Sequence, residues 1–349
     1  MRSRLGVRGL RLSVALLSTL TLVAGSAAAG SSPNGSRTAV GKIAFTVQHG
    51  DGDAPWDVYV IRTDGRWVLK KTTTRLNEAD PVWSPDGRHI AFDGWTIPGG
   101  ADTSIYTMNP DGTHRRRLAR GDVPQWSPDG RRIAYINDGI DVMNVDGTGK
   151  KHLARGGDPR WSPDGKQIAF TGVGESTNDV YIVDASSGRK RRLTRTRDST
   201  LAAWAPGRKI IFTRGIIFDN GAGSATGIYI INADGTGRRL ARRTSAYVPT
   251  SIGGWSPDDK LILYATRQGI STWRLSDGSV RRLTRGGSDS YPTWGPHGGR
   301  IAFARNTPHG NGIFIMNRDG SAVHRLAVIG PIPHTFGWNR YFTLTWAPR

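Results

Sequence analysis

Seven times the chain places a tryptophan two residues before a proline, at Trp83, Trp126, Trp161, Trp204, Trp255, Trp294 and Trp346, with 35 to 52 residues from one to the next. A period of that size is one small β-sheet per repeat, the spacing of propeller blades rather than of helical solenoids. The rest of each unit keeps its order. At the first copy, an apolar run ends in Trp83 and the turn Ser84-Pro85-Asp86-Gly87 follows, then Ile90-Ala91-Phe92 and a variable loop. Next come Ile105-Tyr106-Thr107-Met108, a second turn Pro110-Asp111-Gly112-Thr113, and Arg115-Arg116-Arg117-Leu118. Proline presets φ at the second turn position and Asp and Gly accept the conformations after it, so both tetrads read as tight hairpins between four strands. Second strands begin at Ile43, Ile90, Ile133, Ile168, Ile210, Leu261 and Ile301, and third strands near Val58, Ile105, Ile140, Val180, Ile228, Ile270 and Ile313. No helical periodicity is evident after residue 30.

The N-terminal unit lacks its Trp-bearing strand, which stands at the other end as Thr343-Leu344-Thr345-Trp346-Ala347-Pro348-Arg349. Joined head to tail with Gly41-Lys42-Ile43-Ala44-Phe45, it copies the continuous run from Trp204 to Phe212. The expected fold is therefore all-β: a seven-bladed β-propeller of four-stranded antiparallel blades over residues 41–349. Pairing of the Trp346 strand with the N-terminal blade closes it and leaves the ring no open end.

These repeats resemble the TolB-like β-propeller family, whose hallmark is a Trp-Ser-Pro-Asp-Gly turn, an Ile-Ala-Phe strand and an Ile-Tyr-x-Met-Asn strand. Here Trp126-Ser127-Pro128-Asp129-Gly130, Ile133-Ala134-Tyr135 and Ile228-Tyr229-Ile230-Ile231-Asn232 carry the likeness, which extends over nearly everything after the first forty residues. The resemblance implies the fold, while activity has to be argued from a site. True TolB proteins also have an N-terminal domain that engages the Tol machinery of the cell envelope. With the first strand beginning at Lys42, the expectation is a relative without that domain.

Residues 1–29 carry Arg2, Arg4, Arg8 and Arg11, an apolar stretch from Leu12 to Ala24, and Ala27-Ala28-Ala29, the layout of a secretory signal peptide. The stretch is 13 residues, short of the roughly 20 that span a bilayer. Residues 30–40, rich in Gly, Ser and Asn, read as a flexible linker. The expected address is the periplasm and cell envelope or the outside of the cell. Without cysteine there is neither a lipidated thiol nor a disulfide, and packing alone must hold the fold.

The formal charge is +20, or +16 once the four leader arginines are removed. The cations concentrate on fourth strands, at Arg115 to Arg117, Lys150 and Lys151, Arg189 to Arg192, Arg238 and Arg239, and Arg281 and Arg282. On an outer edge such charges deter edge-to-edge pairing. They could equally form a belt weakly attracted to anionic polymers or lipid headgroups. Nucleic acid is not expected as a partner of an exported chain.

Antiparallel strands send the tight turns to one end of every blade and the variable loops to the other, the end where binding residues usually gather. Just before the repeated tryptophans, leading into the innermost strands, stand Asp80, Asp122, Asp158, Asp198 and Asp289. Five acids at one channel mouth would receive a cation or the basic segment of a partner; the alternative is that they cap turns by accepting backbone N–H groups. The long insertions Thr46 to Trp56, Asp93 to Ser104, Thr213 to Gly227, Arg242 to Gly253 and Val328 to Phe342 carry Trp56, Trp95, Phe218, Tyr247, Phe336, Trp338 and Tyr341. These aromatics are interface anchors if exposed, and loop packing if not.

Covalent catalysis has no visible nucleophile, since there is no Gly-x-Ser-x-Gly elbow and no cysteine. His114, His152 and His324 sit beside cations on fourth strands and read as solvated edge residues. The run His49, Asp51, Asp53, Asp57 has Arg62 where a calcium loop needs Glu, so no metal and no cofactor are expected. The resulting expectation is an exported, non-catalytic, monomeric scaffold binding a protein or cell-wall component of the envelope. Its alternative is a propeller lyase or hydrolase acting on envelope or extracellular polysaccharide.

Overall fold

Each Ser-Pro-Asp-Gly turn is locked by its own side chains. The Ser84 hydroxyl donates to Asp86 Oδ1 at 2.6 Å, the Arg88 N–H donates to the same oxygen, and Ser84 Oγ accepts the His89 N–H. Ser127 with Asp129, Ser162 with Asp164, and Ser256 with Asp258 repeat the arrangement. The turns between third and fourth strands use Asp again: Asp111, Asp146, Asp234 and Asp319 each accept a backbone N–H and a hydroxyl from the Thr or Ser two residues on. These bonds hold the turn carboxylates below their ordinary range.

Between such turns the described residues form 28 strands, β1 to β28 in chain order, paired into seven four-stranded antiparallel sheets, with no α-helix among them. The computed structural model describes residues 40–348 apart from 49–54, 71, 73–75, 97–101, 175–176, 206–207, 215–226, 243–250, 287, 308–310 and 330–342. The expected signal peptide and nearly all of the linker lie outside the described residues. No helix among those described is long and apolar enough to cross a membrane.

The innermost strands are β4 (Leu76–Trp83), β8 (Asp122–Trp126), β12 (Gly157–Trp161), β16 (Ser199–Ala205), β20 (Ser251–Trp255), β24 (Asp289–Trp294) and β28 (Leu344–Trp346). Blades 2 to 7 begin at β4, β8, β12, β16, β20 and β24, respectively. Blade 1 is β1 (Lys42–Gln48), β2 (Trp56–Arg62) and β3 (Trp67–Leu69), with β28 paired antiparallel to β1 so that Trp346 stands opposite Ile43 and Leu344 opposite Phe45.

Seven apolar clusters fill the seven junctions between neighbouring blades. The one between blades 2 and 3 joins Val82, Ala91, Ile105 and Leu118 to Trp126, Ile133, Tyr135 and Met143. Every repeated Trp belongs to or packs against such a cluster, the role that a large flat side chain between sheets is suited to. Three of them also bond across the junction. The indole N–H of Trp83 donates to Thr345 O (3.3 Å), that of Trp126 to Val82 O (3.2 Å) and that of Trp161 to Gln125 O (3.1 Å). The buried indole N–H groups of Trp204, Trp255, Trp294 and Trp346 have no partner among the described residues.

Fourth-strand cations have a structural task beyond edge protection. Arg116 donates to Asp146 O (2.8 Å), Lys151 to Ser186 O, and Arg191 to Asp234 O and Ala233 O, each reaching a turn of the next blade. These bonds tie blade 2 to 3, 3 to 4 and 4 to 5 at the tight-turn end. His114, His152 and His324 are all exposed, and the His152 ring nitrogen Nδ1 lies 2.7 Å from Asp141 Oδ1.

Candidate functional site

The inner strands share an irregularity just before the Trp. In β4, β8, β12 and β24 the register breaks over a two-residue bulge. At these bulges Asp80, Val123, Asp158 and Tyr291 take φ of 47°, 52°, 54° and 51°, each immediately before a proline. Positive φ is uncommon outside glycine, and a following proline narrows the choice further, so these bulges are held by their surroundings. On blade 6, Gly253 occupies the facing position, and a Cβ there would meet Pro292 O at 2.2 Å. Only glycine admits the bulge of blade 7 that close.

The acids expected in loops are therefore mostly strand residues. Asp80, Asp122, Asp158 and Asp289 lie within inner strands, and Asp198 directly precedes one. The structure brings the first three together and adds Asp93, on β5 (Ile90–Thr96) opposite Ala79. Asp93 is 4% exposed, and its Oδ1 has no hydrogen-bond partner, while Oδ2 accepts a long bond from the Val123 N–H (3.5 Å). Burial, then the charges of Asp80 and Asp122, push its carboxyl well above the ordinary range. Asp158 is equally buried, and its Oδ2 has no partner. Burial pushes its pKa up to about 6, with Asp80 adding to the rise and Arg160 opposing it. Arg160, 3% exposed, donates to Pro159 O at 3.0 Å, and burial lowers its pKa against the pull of Asp158 and Asp80. Asp80 Oδ1 accepts the Thr343 hydroxyl at 2.7 Å, which connects the group to the strand that completes blade 1.

Asp198 and Asp289 do not join this group. Asp289 receives Arg305 of β25 (Arg300–Arg305) through two bonds, 2.6 Å and 2.9 Å. Asp198 receives Arg214 Nε of β17 (Lys209–Arg214) at 2.9 Å. In both pairs the hydrogen bond raises the arginine pKa. The five-acid channel mouth thus becomes three of the expected acids plus Asp93, with one buried cation, Arg160.

The aromatics correct the expectation in the same direction. Trp56 is 5% exposed and packs in the cluster between blades 7 and 1, and Trp95 lies half-buried against that cluster. Neither is an exposed anchor. Tyr247, Trp338 and Tyr341, with Phe218 and Phe336, lie outside the described residues. Among the described residues, no group of three or more His, Asp or Glu side chains could hold a metal ion.

Asp93 and Arg160 were the functional candidates that sequence reasoning missed. Asp93 follows Ile90-Ala91-Phe92, where the other repeats carry Thr46, Ile136, Thr171, Thr213, Ala265 or Ala304; a carboxylate at a position otherwise held by uncharged residues was the available signal. Arg160 stands directly before a repeated Trp, where other repeats have Val82, Gln125 and Thr293.

Comparison with curated protein sequences finds no match. Among solved structures, the chain is similar to TolB from Acinetobacter baumannii, at 20% identity and a TM-score of 0.55, covering 88% of this chain and 67% of that one. An oligogalacturonate lyase from Vibrio parahaemolyticus is similar at 12% identity and TM-score 0.59, over 82% and 84%. The β-propeller domain of the trilobed protease from Pyrococcus furiosus matches at 16% identity and TM-score 0.55, over 73% and 86%. At these identities the likeness carries the fold, which both binding proteins and enzymes use. The model of the TolB beta propeller domain (PD40) matches residues 123–341, well over half of the sequence. Bladed repeats, locked Pro-Asp-Gly turns and that match agree: the chain belongs to the TolB β-propeller domain family.

Proposed function

We propose that this protein is an exported, non-catalytic binding scaffold that takes a cationic segment of a protein or cell-envelope partner at the loop end of its central channel. One observation carries the reading: Asp93 and Asp158 are buried carboxyls, each with an oxygen lacking any donor, beside Asp80 and Asp122. An unpaired buried carboxylate is costly. A lysine or arginine entering from a partner would supply the missing donors and the missing charge, and its binding would be strengthened by the low local dielectric. The family membership fits a binding role, and the basic leader at residues 1–29 fits export.

A specific observation favours a second reading, an enzyme acting on an envelope or extracellular polysaccharide. Arg160 lies among these acids, and Asp158 is tuned to about 6, a value suited to proton transfer near neutral pH. A lyase would release unsaturated sugars from an acidic polysaccharide, which absorbance of the product detects.

The binding reading is tested by capture from envelope extract with the full chain, beside Asp93→Asn/Asp158→Asn and Asp198→Asn/Asp289→Asn. The expected result is a partner retained by the wild type and by the second variant but lost from the first. Equal recovery by all three removes the channel acids from the interface.

A further inference from the structure

The tight-turn end of the ring, opposite the channel acids, contains a groove between blades 6 and 7. Its volume is about 330 Å³, within the range of small-ligand sites. One wall is the face of blade 6, with Lys260, Thr272 and Arg274 on or beside β21 (Leu261–Thr266) and β22 (Gly269–Arg274), and Arg281 on β23 (Val280–Arg282). The other wall is the turns of blade 7, with Gly299, Arg318 and Asp319. Four cations thus face one carboxylate.

The cations are not equally committed. Arg318 is held by Asp258 at 2.9 Å and 3.2 Å and lies over the Trp294 ring. Arg274 has Asp277 at 4.0 Å, in an exposed pair that is worth little. The Lys260 ammonium and the Arg281 guanidinium make no hydrogen bond among the described residues, although Arg281 acts on Asp319 through its charge. The junctions between blades 2 and 3, 3 and 4, and 4 and 5 are each bridged by a fourth-strand cation: Arg116, Lys151 and Arg191 donate to a backbone carbonyl of the next blade's turn. Arg281 occupies the corresponding place on blade 6 and makes no such bond. The result is a cleft with unused side-chain donors where those three junctions are bridged.

We propose that the groove between blades 6 and 7 is a second binding site, for a phosphoryl group, held by Lys260 and Arg281 and flanked by Arg274 and the Thr272 hydroxyl. A guanidinium offers paired donors that match phosphate oxygens, and an ammonium adds a mobile point charge. The site lies at the end of the propeller away from the channel acids, so it does not rest on the function proposed for them.

The test titrates the full chain at low salt with pyrophosphate and, separately, with vesicles of phosphatidylglycerol in phosphatidylcholine. Lys260→Glu/Arg281→Glu is set against Arg131→Glu/Lys150→Glu, which makes the same charge change at the same end of blade 3. Saturable pyrophosphate binding, weakened at least about tenfold by the first pair and less than about twofold by the second, is expected. Saturable binding to vesicles alone, with the same ranking of variants, assigns the phosphoryl group to a lipid surface. Equal weakening by both pairs, or binding to neither probe, overturns the site.

Discussion

Blades 2–4 and blades 5–7 are copies of one repeat, yet they satisfy their polar groups in opposite ways. In blades 2–4 the Trp indoles bond across each junction, and fourth-strand cations reach the next blade's turn. Asp93 and Asp158, buried acids of blades 2 and 4, are each left with one oxygen that no donor meets. In blades 5–7 the axial acids are paired with arginines of their own blade. There the indoles lack partners, and a groove lined by cations remains at the tight-turn end between blades 6 and 7. A repeat therefore fixes where a side chain sits, while the residue placed there decides whether the position holds the ring together or waits for a ligand.

The largest expected difference comes from substituting one axial acid in each half. Asp158 has a folded-state pKa of about 6 against a reference of 3.8. A carboxyl raised on folding weakens the fold where it is ionised, so its stability contribution is fully present below about pH 4 and lost as pH rises through about 6. Asp93 acts in the same direction. Asp158→Asn is expected to stabilise the protein by about 1–3 kcal/mol at pH 7.5 and to flatten the gain that the wild type shows on acidification. Thermal unfolding at pH 7.5 and pH 4.5 measures both. Asp289→Asn should do the reverse, costing about 1–2 kcal/mol at pH 7.5, less than a fully buried pair because Arg305 is partly solvated. If both substitutions destabilise equally, the two halves do not differ as described.

The indoles sharpen the comparison at a smaller scale. Trp126→Phe removes a cross-junction bond and Trp294→Phe does not. The first should therefore cost about 1 kcal/mol more than the second, read from denaturant midpoints. Smaller still is Asp198→Asn, whose pair with Arg214 is about one-third exposed on both sides; its effect should stay within about 0.5 kcal/mol.

The architecture was legible because strand, turn and Trp recur in order, and each turn residue has a local reason to be there. Ser84, Asp86 and Gly87 act within one hairpin, so sequence alone exposes them. The site was only half legible. Asp80, Asp122 and Asp158 were found by position in the repeat, but Asp198 and Asp289 were indistinguishable from them in sequence. What separates them is an arginine on the adjacent strand, 16 residues away in both cases. Trp56 and Trp95 read as loop aromatics because the strands of blades 1 and 2 extend further than their apolar cores suggested, through Gln48 and Thr96. Arg160, before a Trp at a position that varies from Val82 to Gln125 and Thr293 elsewhere, gave no sign of being buried.

The most direct test of the central claim, that Asp93 and Asp158 are buried carboxyls each with an oxygen that no donor meets, is the ionisation of Asp158 followed by carboxyl NMR in the free protein. The account expects a midpoint near 6 that falls when a lysine- or arginine-bearing ligand occupies the channel. A midpoint near 4, the ordinary aspartate value, unmoved by such ligands, would mean that the carboxylate is already satisfied and would contradict it.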